Sequence, residues 1–337
     1  MNLTIRDYEI LSTYQDLGEE PINKTAQVAS LKAHTVRRCI MKALASGVLT
    51  RRAFINFHEL GLQQYAAMLS FDHASQQNDK QIRDALRTHK HVELALKLDG
   101  STQYQYYVLI TTTSATNLET IITSISSVSK ASVTKTRLQV RRGYCYFGSK
   151  YLGTLRTPTP IEVRSSDRRI SLPEEDIDVL EVFSASRNGV RTQMARTLHM
   201  PLMTLQYRIE RLGRLGVIRG VRYYIDSKAV GHEQFRCLIV AKLPLESYRK
   251  QLVGWASTHR YVVALMDGVG SWDYELWLET PTNEMAQAVV EEMIRNFPSI
   301  IQTTELIRVD SVIKITSHSS FSATIGTNGN TSDSAAS

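Results

Sequence analysis

Two stretches of the sequence carry many basic side chains and almost no acidic ones. Residues 21–52 contain Lys and Arg but no Asp or Glu, and residues 187–222 contain eight Arg against the single Glu210. A solvated protein surface usually mixes the two signs, so a field of one sign is typical of a surface that contacts phosphates of a nucleic acid. A basic surface that serves only solubility is the alternative.

The residue types in these stretches suit two kinds of DNA contact. Arg can read guanine and Gln can read adenine in the major groove, whereas Arg208, Arg211 and the strand arginines suit phosphates, which position a protein without specifying sequence. Packing on the neighbouring strand is an equal alternative for Tyr207. The predicted DNA-binding residues are His34, Thr35, Arg37, Arg38, Lys42, Arg51, Arg52, Met203, Thr204, Gln206, Tyr207, Arg208, Arg211, Arg219 and Arg222.

The elements that must position these residues are clearest between Glu174 and Gly231. An acidic start followed by apolar residues at helical spacing predicts a first helix. A short helical segment follows, and Pro201 opens a third helix because its fixed φ suits a first helical turn. Val217 to Ile225 alternates and is rich in β-branched and aromatic residues, which predicts a hairpin. Helices followed by a hairpin are the plan of a winged helix-turn-helix, whose third helix enters a major groove.

A weaker copy of this pattern occupies the first half of the chain. Gly216 falls on Gly47 at an offset of 169 residues, and after the strand Gly231 falls on Gly61 at an offset of 170. Matches continue along most of each half, which indicates a tandem duplication. Because the two third helices carry different polar side chains, we expect the halves not to read identical half-sites.

Each copy is predicted to contain two modules, which gives an α+β fold. Winged helix-turn-helix domains span residues 1–57 and 174–230, and the strand and helix order βαββαβ in residues 58–147 and 231–316 predicts ferredoxin-like domains. Residues 148–173 are predicted to form an extended linker. Residues 317–337 are rich in Ser, Thr, Asn and Gly, so a disordered tail is expected.

The segment GVIRGVRYYIDSKAVG resembles the Lrp/AsnC (feast/famine) family of transcriptional regulators. The resemblance lies in the Gly-Val-Ile turn and in the Asp-x-Lys-Ala-x-Gly corner, and the ferredoxin-like plan extends it over almost the whole chain. It implies a sequence-specific regulator that binds double-stranded DNA and is modulated by a small effector such as an amino acid. The duplicated chain would close on itself as an intramolecular pseudo-dimer, with further homo-oligomers possible.

The family resemblance also implies an effector site at a Gly-rich turn. The candidate residues are Gly268, Gly270, Ser271 and Asp273, since glycines let the backbone approach a small ligand. The first copy has Gln103 in place of Asp273, which puts a second site in doubt. A tight strand connection without a ligand is the alternative.

Two other functions compete with the regulator. Lrp-like chains include siroheme decarboxylases, and the candidates for such chemistry are His89, His91, Tyr104, Tyr106 and Tyr107. The other is an architectural DNA-binding protein without an effector. The regulator is preferred, so we expect no enzyme, no catalytic residue, no metal site and no cofactor.

The composition is that of an ordinary water-soluble protein. The formal net charge of +7 and the pI near 9.2 favour a polyanionic partner. No long apolar run or signal-peptide pattern is present, so neither a membrane span nor export is expected. The three cysteines are scattered singly, which fits a reducing cytoplasm and, for a DNA-binding protein, association with the nucleoid.

Overall fold

The two halves of the chain form the same series of helices and strands. The computed structural model describes residues 3–17, 19–72, 76–100, 102–153, 159–243 and 246–316 together with Phe321. The first half contains α1 (Ile5–Leu17), α2 (Ile22–Val28), α3 (Ala33–Ala45), β1 (Leu49–Ile55), β2 (Gln63–Phe71), α4 (Gln76–Thr88), β3 (Val92–Leu98), β4 (Tyr106–Thr112), α5 (Ala115–Ser129), β5 (Val133–Tyr146) and β6 (Ile161–Arg164). The second half contains α6 (Glu174–Ala185), α7 (Arg191–Thr197), α8 (Leu202–Arg214), β7 (Ile218–Ile225), β8 (Glu233–Ala241), α9 (Glu246–Thr258), β9 (Val262–Gly270), β10 (Tyr274–Thr280), α10 (Asn283–Asn296) and β11 (Ile301–Ile315).

Local sequence accounts for several of the helix boundaries. Pro201 precedes the first residue of α8, and the helix stops before Gly216, whose φ of +80° suits a residue without Cβ. Ser114 and Thr282 cap α5 and α10 by accepting hydrogen bonds from backbone N–H groups three residues on. These caps stand at equivalent places in the two halves, as the repeat predicts.

The strands of both halves join into one closed ring. Among the described residues, neighbouring strands follow the order β2, β4, β3, β11, β8, β10, β9 and β5, and β5 pairs again with β2. Each half contributes a ferredoxin-like sheet, and the pairs β5–β9 and β3–β11 connect the two sheets in antiparallel register. The halves therefore close a β-barrel within a single chain.

The alternation of side chains along these strands separates an outer core from the barrel interior. On β10, Tyr274, Leu276 and Leu278 pack outward beneath α9 and α10. Glu275 and Trp277 on the same strand point inward, because successive side chains face opposite sides of a sheet. Buried charge on an otherwise apolar strand thus belongs to the inside of the barrel.

The strands β1 and β7 pair with each other across one end of the barrel. Leu49 lies opposite Ile225 and Ala53 opposite Val221, in antiparallel register. The expectation of a hairpin within Val217–Ile225 is therefore wrong, because this segment is one strand whose partner comes from the other half. Each strand also packs on the helices of the opposite half, β1 on α6 to α8 and β7 on α1 to α3.

The predicted fold class is confirmed, since a helix-turn-helix unit and a ferredoxin-like sheet occur twice in an α+β chain. The segment predicted to be a linker is partly ordered, because β6 pairs with β5. Phe321 in the predicted disordered tail is fully buried, and the rest of that tail lies outside the described residues. No helix in the described part of the chain is long and apolar enough to cross a membrane.

Candidate active site

A cavity of about 130 Å³ lies inside the barrel at the end covered by β1 and β7. Strands of both halves line it. An aromatic wall formed by Phe54, Tyr144 and Tyr146 lies beside β1, with the ring of Phe54 5.1 Å from that of Tyr146 and 6.0 Å from that of Tyr144. Burial raises the pKa of Tyr144, which therefore keeps its proton at neutral pH. We refer to this space as the inner cavity.

Glu275 fixes two other side chains at the wall of the inner cavity. Arg141 Nη2 lies 2.9 Å from Glu275 Oε2 and donates a second hydrogen bond to the Tyr107 hydroxyl at 2.8 Å. Tyr107 in turn donates to Glu275 Oε2 at 2.8 Å. Burial raises the pKa of Tyr107, so its O–H group is retained at neutral pH. The three groups form a closed, buried triad.

Arg236 is much less completely paired than Arg141. Its guanidinium lies 4.6 Å from the Trp277 ring centroid and 5.7 Å from that of Tyr107. Its side chain is 3% exposed, and Nε lies 3.7 Å from Glu275 Oε1, beyond hydrogen-bonding distance. Within the described residues, neither Nε nor Nη1 has a hydrogen-bond partner. A buried cation with unused donors can bind an anionic ligand, because buried polar groups are nearly always hydrogen-bonded.

Other donors without partners line the same cavity. Arg52 lies with its guanidinium 4.6 Å from the Tyr224 ring centroid, and burial lowers its pKa, although an arginine stays charged in proteins. Arg52 Nη2, Arg141 Nε and Trp277 Nε1 lack hydrogen-bond partners among the described residues. Donors that converge on one space in this way are suited to the oxygens of a carboxylate.

The charges around the inner cavity leave an excess of positive charge. Three guanidinium groups, those of Arg52, Arg141 and Arg236, face the carboxylates of Glu93 and Glu275. Glu93 accepts a hydrogen bond of 2.9 Å from Gln64 Nε2. With the aromatic wall, this makes a low-dielectric site that favours an anion with an apolar body.

A second cavity of about 470 Å³ adjoins the first, and we call it the outer cavity. Arg52, Ile315 and Thr316 line both spaces. The outer cavity is more polar than the inner cavity and is also lined by Arg51 and Arg187. Its volume falls within the range of about 300–1,000 Å³ that is typical of small-molecule sites, whereas the inner cavity is smaller than that range.

A buried acid lies further along β10, behind Trp277. Glu279 is fully buried and accepts hydrogen bonds from the hydroxyl groups of Tyr151 at 2.5 Å and Tyr224 at 3.2 Å. Burial raises the pKa of Glu279 to about 7. Tyr224 connects this acid to the cavity wall, since its ring contacts both Trp277 and Arg52.

The residues predicted to bind DNA are placed differently on the two third helices. On α3, His34, Arg37, Arg38 and Lys42 are exposed and Thr35 is half-buried. On α8, Met203 and Tyr207 are exposed, and Thr204 and Gln206 are half-buried. Tyr207 thus does not pack on the strand, and its binding role stays a prediction.

The arginines predicted to contact phosphates are largely engaged within the chain. Arg208 Nη1 lies 2.7 Å from Asp176 Oδ1, and Arg211 pairs with the other oxygen of the same buried carboxylate. Arg219 and Arg222 donate hydrogen bonds of 3.1 Å to the backbone carbonyls of Glu162 and Thr159. The structure therefore commits these arginines to contacts that hold the helices and strands together.

Arg51 and Arg52 differ most from the expectation of an outward-facing strand. The Arg51 side chain is fully buried, with Nη2 2.7 Å from Glu19 Oε1 and Nη1 donating to the Phe183 carbonyl at 2.8 Å. Arg52 lines the inner cavity instead of the surface. The reason is the pairing of β1 with β7, which turns this strand over the end of the barrel.

The predicted effector turn lies at the junction of the two halves. A Cβ at Gly268 would lie 2.5 Å from the Val140 carbonyl, and one at Gly270 would lie 2.3 Å from the Leu138 carbonyl. Ser271 N donates to the Leu138 carbonyl at 2.8 Å, and Asp273 Oδ2 accepts from Ala241 N at 2.8 Å. The glycines thus let β9 approach β5 closely, and effector binding at this turn stays a prediction.

Of the residues considered for enzyme chemistry, most lie away from the inner cavity. His89 bonds Ser124 outside the barrel at 3.0 Å, and burial lowers its pKa to about 4. Tyr106 points outward to Asp79, and Tyr104 packs in the barrel interior with Trp272. Of the five candidates, Tyr107 lines the inner cavity. Sequence reasoning missed Arg141, Arg236 and Glu275, although charged residues at alternate positions of apolar strands were a usable signal.

Comparison with known proteins finds similarity at the level of structure. No protein-family profile and no curated protein sequence matches the chain. The crystal structure of the siroheme decarboxylase NirDL has a TM-score of 0.60 at 15% identity and covers 95% of this chain and 96% of that chain. NirDL in complex with an iron-uroporphyrin III analogue has a TM-score of 0.57 at 14% identity and covers 95% of each chain. An AsnC family transcriptional regulator from Agrobacterium tumefaciens, at 19% identity and a TM-score of 0.38, covers 44% of this chain and 95% of that chain.

These matches correct the main functional expectation. The expectation of a DNA-binding transcriptional regulator that is not an enzyme is wrong, because a siroheme decarboxylase, NirDL, matches 95% of this chain in structure. At this level of identity the likeness itself establishes a shared fold. The chemistry of this chain has to be argued from its own residues.

Proposed function

We propose that the protein is an enzyme that decarboxylates the acidic side chains of an iron tetrapyrrole such as siroheme. The observation that carries this proposal is the buried, incompletely paired guanidinium of Arg236 inside an aromatic cavity. The likeness in fold to NirDL over the whole chain supports the choice of a tetrapyrrole among possible carboxylates. The substrate combines a flat apolar ring with several peripheral carboxylates, which matches the mixture of aromatic and cationic groups.

The two cavities bind different parts of such a substrate. The inner cavity, at about 130 Å³, can hold one carboxylate arm, whereas the outer cavity, at about 470 Å³, is the space for the ring. Arg52 lies between them and can contact the arm as it passes from one to the other. Arg187 at the outer cavity is placed for another carboxylate of the ring.

The reaction breaks the bond between the carboxylate and the adjacent methylene carbon. The electron pair of this bond remains on the methylene carbon, where conjugation with the ring stabilises it, and carbon dioxide leaves. A proton must then reach that carbon, which becomes a methyl group. Arg236 and Arg52 bind and orient the carboxylate, and the closed cavity keeps water away from the carbanion-like centre.

Tyr107 is the proton donor that the geometry supports best. Its hydroxyl lies at the cavity wall and keeps its proton at neutral pH because burial raises its pKa. Arg141, 2.8 Å from the hydroxyl, would stabilise the phenolate that remains after the transfer. In the free protein the hydroxyl donates its hydrogen bond to Glu275, so this proton must rotate toward the substrate before the transfer, and Glu275 also positions Arg141.

The test is to incubate the purified full chain with siroheme and follow carbon dioxide release and product mass. Wild-type protein is expected to bind siroheme with a change in its absorbance spectrum and to remove side-chain carboxyl groups one at a time. Tyr107→Phe should retain binding and lose turnover. Failure of the wild-type chain to bind siroheme or to release carbon dioxide would refute the proposal.

A further inference from the structure

The C-terminal end of β11 forms part of the wall between the two cavities. Ile315 lies opposite Leu94 of β3, and Ile315 and Thr316 line both the inner and the outer cavity. Thr316 N donates a hydrogen bond of 2.8 Å to the carbonyl of Glu93, whose side chain also lines the inner cavity. The last described residues of this strand thus close one side of the site.

Phe321 lies five positions further on and is fully buried. It packs in the core of the second helical unit, α6 to α8. Its ring stacks on that of Phe57 with the centroids 6.1 Å apart, and Phe57 lines the inner cavity. Phe321 is therefore separated from the cavity by a single side chain.

The first half of the chain shows that this arrangement is an anchor. Directly after β5, Phe147 N donates a hydrogen bond of 2.8 Å to the Val263 carbonyl. Directly after β11, Thr316 N donates the equivalent hydrogen bond to the Glu93 carbonyl. The chain then returns to a helical unit, where Leu152 packs on the core of α1 to α3. Both halves fasten the end of their last strand to a helical core, and in the second half the fastened segment borders the site.

We propose that Phe321 is a positioning residue for the substrate site. It supports Phe57 from behind, so that the wall of the inner cavity keeps its shape around the substrate arm. The consequence for catalysis rests on the proposed function, whereas closure of the cavity does not. Phe321 does not touch the substrate and acts through Phe57.

The test compares Phe321→Ala with two other variants of the full chain. Phe321→Leu keeps an apolar anchor and should behave as wild type. Leu205→Ala removes an equally buried side chain from α8 in the same core without reaching either cavity. It therefore controls for lost stability of the helical unit.

Two readouts separate positioning from stability. In a Trp255→Phe background the remaining tryptophans are Trp272, which is 1% exposed in the barrel interior, and Trp277, which lines the inner cavity beside Arg236, so increased iodide quenching reports access to the barrel interior. Phe321→Ala should raise quenching several-fold and raise KM for siroheme roughly tenfold with kcat nearly unchanged, as expected for loss of uniform binding. Leu205→Ala should change neither.

Equal effects of Phe321→Ala and Leu205→Ala would overturn the proposal, because Phe321 would then be an ordinary core residue. Unchanged quenching and KM in Phe321→Ala would overturn it as well. If the wild-type chain does not turn over siroheme but quenching rises in Phe321→Ala alone, the proposed function fails and the positioning of the cavity wall is supported.

Discussion

Replacing Arg236 by Met separates binding from stability more sharply than any other single change. In the free protein the Arg236 side chain is 3% exposed, and its Nε and Nη1 have no hydrogen-bond partner among the described residues. Met has a similar length and can pack on Trp277 through its sulfur. Glu275 keeps its contacts with Arg141 and Tyr107. Removal of one member of a buried ion pair is destabilising when the other charge is left uncompensated, but Glu275 is still paired with Arg141 after this replacement, so we expect the free energy of unfolding to fall by no more than about 1 kcal/mol.

The affinity for a carboxylate-bearing ligand, in contrast, should fall strongly. Hydrogen bonds to charged groups contribute about 1.5–3 kcal/mol each. The two free N–H groups of Arg236 then make a loss of roughly 3 kcal/mol a modest expectation, which corresponds to an affinity about 150-fold weaker. Weaker binding without lower stability would indicate that Arg236 serves ligand binding and not the stability of the fold.

The assay is an absorbance titration with iron-uroporphyrin III, combined with chemical unfolding of the ligand-free chain. Arg295→Met is the matched control, because Arg295 on α10 is 68% exposed and should alter neither quantity. A large loss of stability in Arg236→Met with unchanged affinity would show that Arg236 is structural. The assignment of the inner cavity as a carboxylate site would then be refuted.

Further predictions concern pH, the junction of the halves and the exposed helix α3. The pKa of Glu279 is raised from 4.5 to about 7 in the folded state, so the folded chain holds an extra proton between these values. Its free energy of unfolding should therefore fall by roughly 3 kcal/mol as the pH rises from about 4.5 to above 7. Denaturation at several pH values should show a smaller fall in Glu279→Gln, and an identical fall would exclude Glu279 as its source. Gly270→Ala should destabilise the chain by several kcal/mol in urea unfolding, because the Cβ meets the Leu138 carbonyl at a φ of +147°. Gly254→Ala, in open space on α9, should not destabilise it, and equal stability of the two variants would contradict the close packing at Gly270. Arg38→Ala on α3 should leave decarboxylation of siroheme unchanged, and a marked loss of rate would show that α3 takes part in the reaction.

Local sequence predicted the elements of this fold because they follow from side-chain periodicity and capping. The apolar spacing of α8 and the offset between Gly47 and Gly216 were enough to identify a repeated α+β unit. The partner of a strand is not encoded in its own pattern. Val217 to Ile225 reads correctly as extended, but only the three-dimensional structure shows that it pairs with Leu49 to Ile55.

The site was missed for a related reason. Arg52 was assigned to a DNA surface because it lies in a basic stretch, and its true direction depends on the pairing of β1 with β7. Arg236 and Glu275 interrupt apolar strands, so sequence alone could have marked them as charges inside a sheet protein. That they meet at one cavity follows from the closure of the barrel, which no local pattern specifies.

The fusion of both halves into one chain affects the orientation in which the cavity can bind a ligand. An assembly of two identical chains repeats every side chain about its two-fold axis. Arg236 corresponds to Ala66 by the offset of 170 between β2 and β8, and Glu279 corresponds to Thr111 by the offset of 168 between β4 and β10, so the fused chain has a cation and an acid without mirror images. A ligand with unlike edges then fits in one orientation and not in the reverse. For the proposed decarboxylation this asymmetry predicts regiospecificity, that is, a preference for which substrate arm reacts first, which a symmetric assembly of two identical chains would lack.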